Sequence, residues 1–181
     1  MMKNKNLLTN IGVLGSTRGT ILSPIVDSIN EGILKNKAKI VVCISNKKNS
    51  GILQSANNMG IKSIHIPVSK NELKEDYDSK ISKELVNNKV DLIICVGWMR
   101  ILSKLFTDKW NNCCMNVHPS LLPEFAGGMD TNVHQEVLDS KKKITGCTIH
   151  MVSEEIDGGL ILIQKECNAK EIKVDLIMIL T

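Results

Sequence analysis

The sequence predicts an open, mostly parallel α/β sheet with helices on both faces. Three observations lead there. Short apolar, β-branched runs alternate with longer segments of helical periodicity, the order that builds strand–helix–strand crossovers. The first run, Leu7–Leu14, is apolar enough to be buried on both faces, as a helix-covered parallel strand must be. Two runs end in glycine, at Gly15 and Gly97, and a third ends in an amide and an imidazole, at the edge where such sheets hold ligands. The arrangement is Rossmann-like and is expected to form one domain over residues 1–181.

The elements follow in order. After Leu7–Leu14 comes the loop Gly15-Ser16-Thr17-Arg18-Gly19-Thr20, then an amphipathic helix from about Leu22 to Leu34. Lys39–Ser45 is a second apolar strand and Asn46–Ser50 a polar turn. Gly51–Met59 is a short helix stopped by Gly60. Ser63–Val68 is a third strand, Lys70–Asn88 a charged helix, and Val90–Val96 the fourth strand and the clearest apolar run. Met99–Trp110 is a helix or helical turn, and Cys113–Val117 the fifth strand. Then the pattern changes. Thr131–Leu138 is helical and Lys141–Lys143 a basic turn. Ile144–Val152 and Leu160–Cys167 are two strands joined by a loop that carries Asp157, and Ile172–Leu180 is apolar with helical or strand character. No internal repeat or low-complexity linker interrupts the chain.

Composition excludes several classes. The apolar fraction of 43% and charged fraction of 23% are ordinary for a soluble globular protein. With aromatics at 3%, Ile, Leu and Val must supply most of the core. The net charge of +4 is mild; it suits a small anionic ligand as well as nucleic acid, and a solvated surface is the favoured reading. The six cysteines (Cys43, Cys95, Cys113, Cys114, Cys147, Cys167) form no C-x-x-C pair and sit largely in apolar runs, which reads as reduced, buried thiols in a cytoplasmic protein. No apolar stretch is long enough to span a membrane, and the N-terminus has no signal-peptide pattern. His65, His118, His134 and His150 lack metal-ligand spacing, so no metal is expected.

The chemistry concentrates in Asn116-Val117-His118-Pro119-Ser120-Leu121-Leu122-Pro123. At a strand end, Asn116 and His118 point to the same face, because strand side chains alternate with period two. Pro119 and Pro123 stop the strand and stiffen its exit. A structural amide and a capped core histidine would look the same in isolation. Their place at a strand end, and the later Asp157-Gly158-Gly159, favour a site. The set suits acyl transfer: Asn116 donates to a developing oxyanion, His118 moves protons near neutral pH, and Asp157 orients the ring. No nucleophile elbow is present, and Ser120 among prolines reads as a turn hydroxyl, so direct transfer is expected rather than a covalent intermediate. The Gly15–Thr20 loop is neither a P-loop nor G-x-G-x-x-G; anion binding and a plain turn are balanced there. Gly97–Leu102, taken alone, is ordinary packing at a helix start, though its apolar side chains could line a slot for a flat ring.

Together, Asn116-x-His118-Pro-Ser-Leu-Leu-Pro, Asp157-Gly-Gly, Gly97-Trp98-Met99-Arg100-Ile101-Leu102, Ser45-Asn46-Lys47 and the Gly15–Thr20 loop resemble the folate-dependent formyltransferases, over about Ile11–Lys165. They are most similar to the branch that formylates glycinamide ribonucleotide. The resemblance implies the formyltransferase fold. It implies formyl transfer from N10-formyltetrahydrofolate, a co-substrate, to the amine of glycinamide ribonucleotide in purine biosynthesis, with no nucleic-acid or membrane partner. It implies Asn116, His118 and Asp157 as catalytic residues and Gly19, Thr20 and Ile21 as the phosphate loop. Lys74, Met99, Arg100, Ile101, Leu102 and Asn116 would bind the folate, and Gly146–His150 would be a strand beside the site. Three departures stand out. Ile21 replaces a polar side chain and leaves only its backbone N–H for phosphate; Lys74 stands where relatives often carry Arg, without the fork geometry. The family's last helix, with a glutamate on the acceptor, has no counterpart before Thr181, so the acceptor side is expected to be weakened. Competing functions are a non-catalytic folate or nucleotide binder, a formyltetrahydrofolate hydrolase, whose family adds an N-terminal regulatory domain, and a methionyl-tRNA formyltransferase, whose family adds a C-terminal tRNA domain.

Overall fold

Apolar strands with period-two side chains bury both faces only if helices cover both. A computed structural model of the chain shows that arrangement. The structure describes residues 8–127, 133, 136, 137, 139, 140 and 142–168. The elements are β1 (Thr9–Leu14), α1 (Leu22–Asn30), β2 (Ala38–Ser45), α2 (Gly51–Asn58), β3 (Ser63–His65), α3 (Lys74–Asn87), β4 (Leu92–Val96), α4 (Lys104–Lys109), β5 (Cys114–His118), β6 (Ile144–Met151) and β7 (Ile161–Asn168). They form one seven-stranded sheet in the order β3-β2-β1-β4-β5-β6-β7. The pairings β1–β2, β1–β4, β2–β3 and β4–β5 are parallel, whereas β5–β6 and β6–β7 are antiparallel.

Alternation splits the core in two. Leu14, Val42, Ile44, Ile93, Cys95 and Cys114 pack with Tyr77, Ile81 and Leu85 of α3 and Phe106 of α4. Ile11, Val13, Cys43, Ile94, Val96 and Val117 pack with Leu22 of α1 and Ile52, Leu53 and Ala56 of α2. Gly12 lets α3 and its exit come close, since a Cβ there would meet Leu85 Cδ2 at 2.8 Å. Asn116 and His118 share the parity of Cys114, so they emerge above the α3/α4 layer.

Boundaries differ from the sequence expectation where turn chemistry intervenes. The first helix ends at Asn30, with Glu31 and Gly32 amides closing its last turn on Asp27 and Ser28, not at Leu34. The third strand stops at His65, before Pro67, and the third helix begins at Lys74 rather than Lys70. Of Met99–Trp110 only Lys104–Lys109 is helical, because Ser103 caps it by accepting from the Phe106 amide. Cys113 and Cys167 are half-buried, unlike the other four thiols. Of the helix expected at Thr131–Leu138, residues Val133, Glu136 and Val137 are described and are helical. The remainder, with His134, Leu7 and the Ile172–Leu180 segment, lies outside the described residues. Among the described residues no helix is long and apolar enough to cross a membrane.

Tyr77 ties α3 to the sheet edge. It is fully buried, and its hydroxyl donates to the Ile66 carbonyl at 2.8 Å. Tyr77→Phe leaves that buried carbonyl without its donor and should lower stability by ~1–2 kcal/mol, read by urea denaturation, with no loss of secondary structure.

Candidate active site

The strand order reverses at β1, whose neighbours are β2 on one side and β4 on the other. Loops leaving β1 and β4 therefore diverge and open a crevice at their C-terminal ends. A cavity of about 230 Å³ occupies it. Three segments line it: Thr17–Ile21 after β1, Gly97–Leu102 after β4, and Asn116–Pro119 at the end of β5. The Val152–Asp157 stretch, with His150 and Gly127, closes the fourth side. The first loop is held by Ser16, which is buried: its hydroxyl donates to Asn46 Oδ1 (2.7 Å) and accepts the Met99 amide (3.1 Å). Gly97, at φ 56°, lies so close to Thr17 Oγ1 that no side chain fits there.

The antiparallel turn of the sheet assembles the polar centre. Asn116 pairs with His150, and His118 with Thr148, so all four side chains share one face. Asn116 Nδ2 lies 3.2 Å from His150 Nε2. His150 Nδ1 faces the Met151 carbonyl at 3.0 Å, which requires a proton on Nδ1. The contact with His150 takes one amide N–H of Asn116 and leaves the second for the cavity. Asp157 comes from the β6–β7 loop at φ 53°. Its Oδ2 accepts the Gly127 amide at 2.9 Å and lies 3.4 Å from His118 Nδ1, while Oδ1 lies 3.5 Å from His150 Nε2. Gly159 is required for this return, because a Cβ would run into the Met151 carbonyl.

His118 is 3% exposed and its Nε2 faces the Phe125 carbonyl at 3.2 Å. Burial pulls its pKa below the ordinary histidine value; Asp157 and the Phe125 carbonyl push it up, and His150 pushes it down. For Asp157, burial raises the carboxyl, but the His150 contact, the Gly127 amide and the two imidazoles outweigh it, so the group is held below the usual carboxylate value.

The other sequence candidates separate. Gly19, at φ 71°, Thr20 and Ile21 line the cavity just before α1, which starts with Ile21 as N-cap and no side-chain cap. Met99, Arg100, Ile101 and Leu102 line the opposite wall. The Arg100 guanidinium lies 4.6 Å from the Tyr77 ring centroid, and both Arg100 Nε and Trp98 Nε1 are buried without a partner among the described residues. Lys74 is exposed at the start of α3 and does not line the cavity, although its charge reaches Asp78. Ser120 is fully buried, donates to the Glu124 carbonyl at 2.9 Å, and stands outside the cavity. Thr148 accepts the Leu122 amide and donates to the Ser120 carbonyl, and Gln164 bonds Leu122 O, so β6 and β7 pin the proline loop. His150, Thr148 and Gln164 were not singled out as site residues from the sequence. The available signal was alternation in β6, where Thr148 and His150 repeat the spacing of His118 and Asn116. Among the described residues no cluster of three His, Cys, Asp or Glu could hold a metal.

Residues 9–175 match the model of the family described as formyl transferase. The trifunctional purine biosynthetic protein adenosine-3 of Bos taurus is 38% identical over 160 residues, which are 88% of this chain and 15% of that protein. Phosphoribosylglycinamide formyltransferase of Haemophilus influenzae is 35% identical over 157 residues, 87% of this chain and 72% of that one. The chain thus spans a small part of the trifunctional relatives and most of the single-enzyme relative. Among solved structures, glycinamide ribonucleotide transformylase 1 from Symbiobacterium toebii superposes with a TM-score of 0.82 at 29% identity, covering 96% of this chain and 78% of that one.

The lowered pKa of His118 fixes a sign. The unfolded chain takes up this proton near pH ~6.5, the folded protein only at lower pH. Between the two values the unfolded state binds more protons, so stability rises with pH through that window and is lost as pH falls. His118→Gln removes this component. Its thermal unfolding midpoint, followed from about pH 7 to about pH 5, should fall less steeply than that of the unmodified protein. A steeper fall in the variant would mean that the two acceptors around His118 outweigh burial.

Proposed function

The chain belongs to the formyl transferase family, and from that premise we propose that it transfers a formyl group from N10-formyltetrahydrofolate to the primary amine of glycinamide ribonucleotide. One observation carries this: Asn116, His118 and Asp157 converge on a cavity walled on one side by the Gly19–Ile21 helix start and on the other by Met99–Leu102. An anionic acceptor fits the first wall, where α1 starts without a side-chain cap and its dipole favours negative charge. The formylated folate fits the second, where apolar side chains accompany two buried donors without partners, Trp98 Nε1 and Arg100 Nε.

In this mechanism the acceptor amine attacks the formyl carbon directly, a new C–N bond forms, and the bond from the formyl carbon to N10 of the folate breaks. Asn116 donates its free amide N–H to the oxygen that becomes negative. His118, neutral at rest because it is buried, takes the proton lost by the amine; the proton then passes to the departing nitrogen. Asp157, ionised because its partners outweigh burial, stabilises the imidazolium while it exists. For His118 Nε2 to reach the reacting atoms it must exchange the Phe125 carbonyl for substrate. His150 acts through Asn116 as a positioning residue.

The test is steady-state turnover by the 181-residue chain, followed as absorbance of the deformylated folate. Turnover should require glycinamide ribonucleotide. His118→Ala and Asn116→Ala should each lower kcat by ~10²–10³, with folate binding retained in His118→Ala. Near-normal turnover in His118→Ala would overturn the mechanism. Formate released without any amine acceptor would instead make water the acceptor, and folate binding without turnover would make the chain a binder.

A further inference from the structure

We propose a second anion site, behind the first loop, that takes a phosphate-sized oxyanion at the start of α2. An open hollow there is lined by Ser16 to Arg18, Lys47 and Asn49 to Gly51. Two of these residues, Arg18 and Lys47, are cationic, and none carries a carboxylate. Its floor is the N-terminus of an eight-residue helix, whose amides carry partial positive charge.

The second observation is Ser50. It occupies the N-cap with extended backbone (φ −68°, ψ 142°), the position where a serine hydroxyl ordinarily accepts a first-turn amide. Here that bond is not made. Ser50 is 5% exposed and its Oγ is buried with no hydrogen-bond partner among the described residues. A buried hydroxyl left in this state costs free energy unless a further group meets it. Around it the other groups are committed: the Ser50 amide donates to Lys47 O, the Ile52 amide to Thr17 O, and the Lys47 amide to Ser45 Oγ. Gly51 lets the Arg18 backbone pass over the helix start, because a Cβ there would meet Arg18 O at 2.8 Å. An oxyanion in the hollow accepts from the Ser50 hydroxyl and neutralises Lys47 and Arg18 together.

The hollow is distinct from the acceptor wall but shares Thr17 and Arg18 with it.

The experiment titrates inorganic phosphate into the ¹⁵N-labelled 181-residue chain and follows the backbone amides of Gly51 and Ile52 beside those of Gly19 and Ile21. A saturable shift is expected at Gly51. Ser50→Ala and Lys47→Met should each raise its midpoint roughly threefold, while the midpoint at Gly19 stays within twofold of the unmodified protein. Both variants should keep the dispersed spectrum of the folded chain. Loss of the Gly19 response alone would bear on the acceptor wall and leave this proposal standing. No saturable shift at Gly51, or a Gly51 midpoint that tracks Gly19 in every variant, would overturn it. Ribose 5-phosphate in a parallel titration identifies the natural source: tighter binding than inorganic phosphate assigns the hollow to a phosphomonoester, weaker binding to the free ion.

Discussion

The carboxylate of Asp157 is the constraint on which the rest of the site depends. Its two oxygens face imidazoles from two different strands, His118 of β5 and His150 of β6, and one of them also receives the Gly127 amide. A single charge thereby ties together the strand end, the neighbouring strand and the loop that folds over both. Remove it and His118 loses the partner of its Nδ1, His150 loses the anion beside its Nε2, and the loop residue Gly127 loses its acceptor. The backbone accommodates this by local means: a left-handed residue at Asp157 and a glycine at 159 where no Cβ fits against Met151.

The reversal of strand direction at β5 explains why a parallel sheet needs its antiparallel flank. In the parallel part, loops leave at one edge and return through helices, so consecutive strand ends lie beside one another but never face back. At β5–β6 the chain runs the other way, and the register sets His150 opposite Asn116 and Thr148 opposite His118. The β6–β7 loop leaves β6 beside the start of β5, where Met151 faces Met115, and folds back so that Val152–Asp157 complete the cavity. The flank also pins the proline segment, through Thr148 and Gln164, so that His118 leaves its strand into a fixed loop.

How much of this was legible in the sequence follows from range. Strand existence, the parity of Asn116 and His118, and the glycine exits of β1 and β4 are local properties, and they appear in the structure as read. The fold class followed from alternation alone. Helix ends were less legible: Leu22–Leu34 contracts to Asn30 and Met99–Trp110 to Lys104–Lys109, because capping by particular residues overrides periodicity there. The role of His150 was partly legible: alternation in β6 and the resemblance set it beside the site, while its place opposite Asn116 rests on an antiparallel register that no local pattern encodes. Lys74 shows the converse. A position matched along the chain lands on an exposed helix start outside the cavity.

Burial of His118 has a chemical consequence beyond packing. Both ring nitrogens face acceptors, the Asp157 carboxylate and the Phe125 carbonyl, and only the imidazolium can donate to both. Burial nevertheless lowers the pKa, so the resting ring is neutral and one of its nitrogens confronts an acceptor without a proton between them. A base arranged this way is free at rest, and a proton it takes up meets a carboxylate already in place. The depressed pKa and the ionised partner thus complement each other: the first keeps His118 able to accept a proton, and the second limits the cost of holding it.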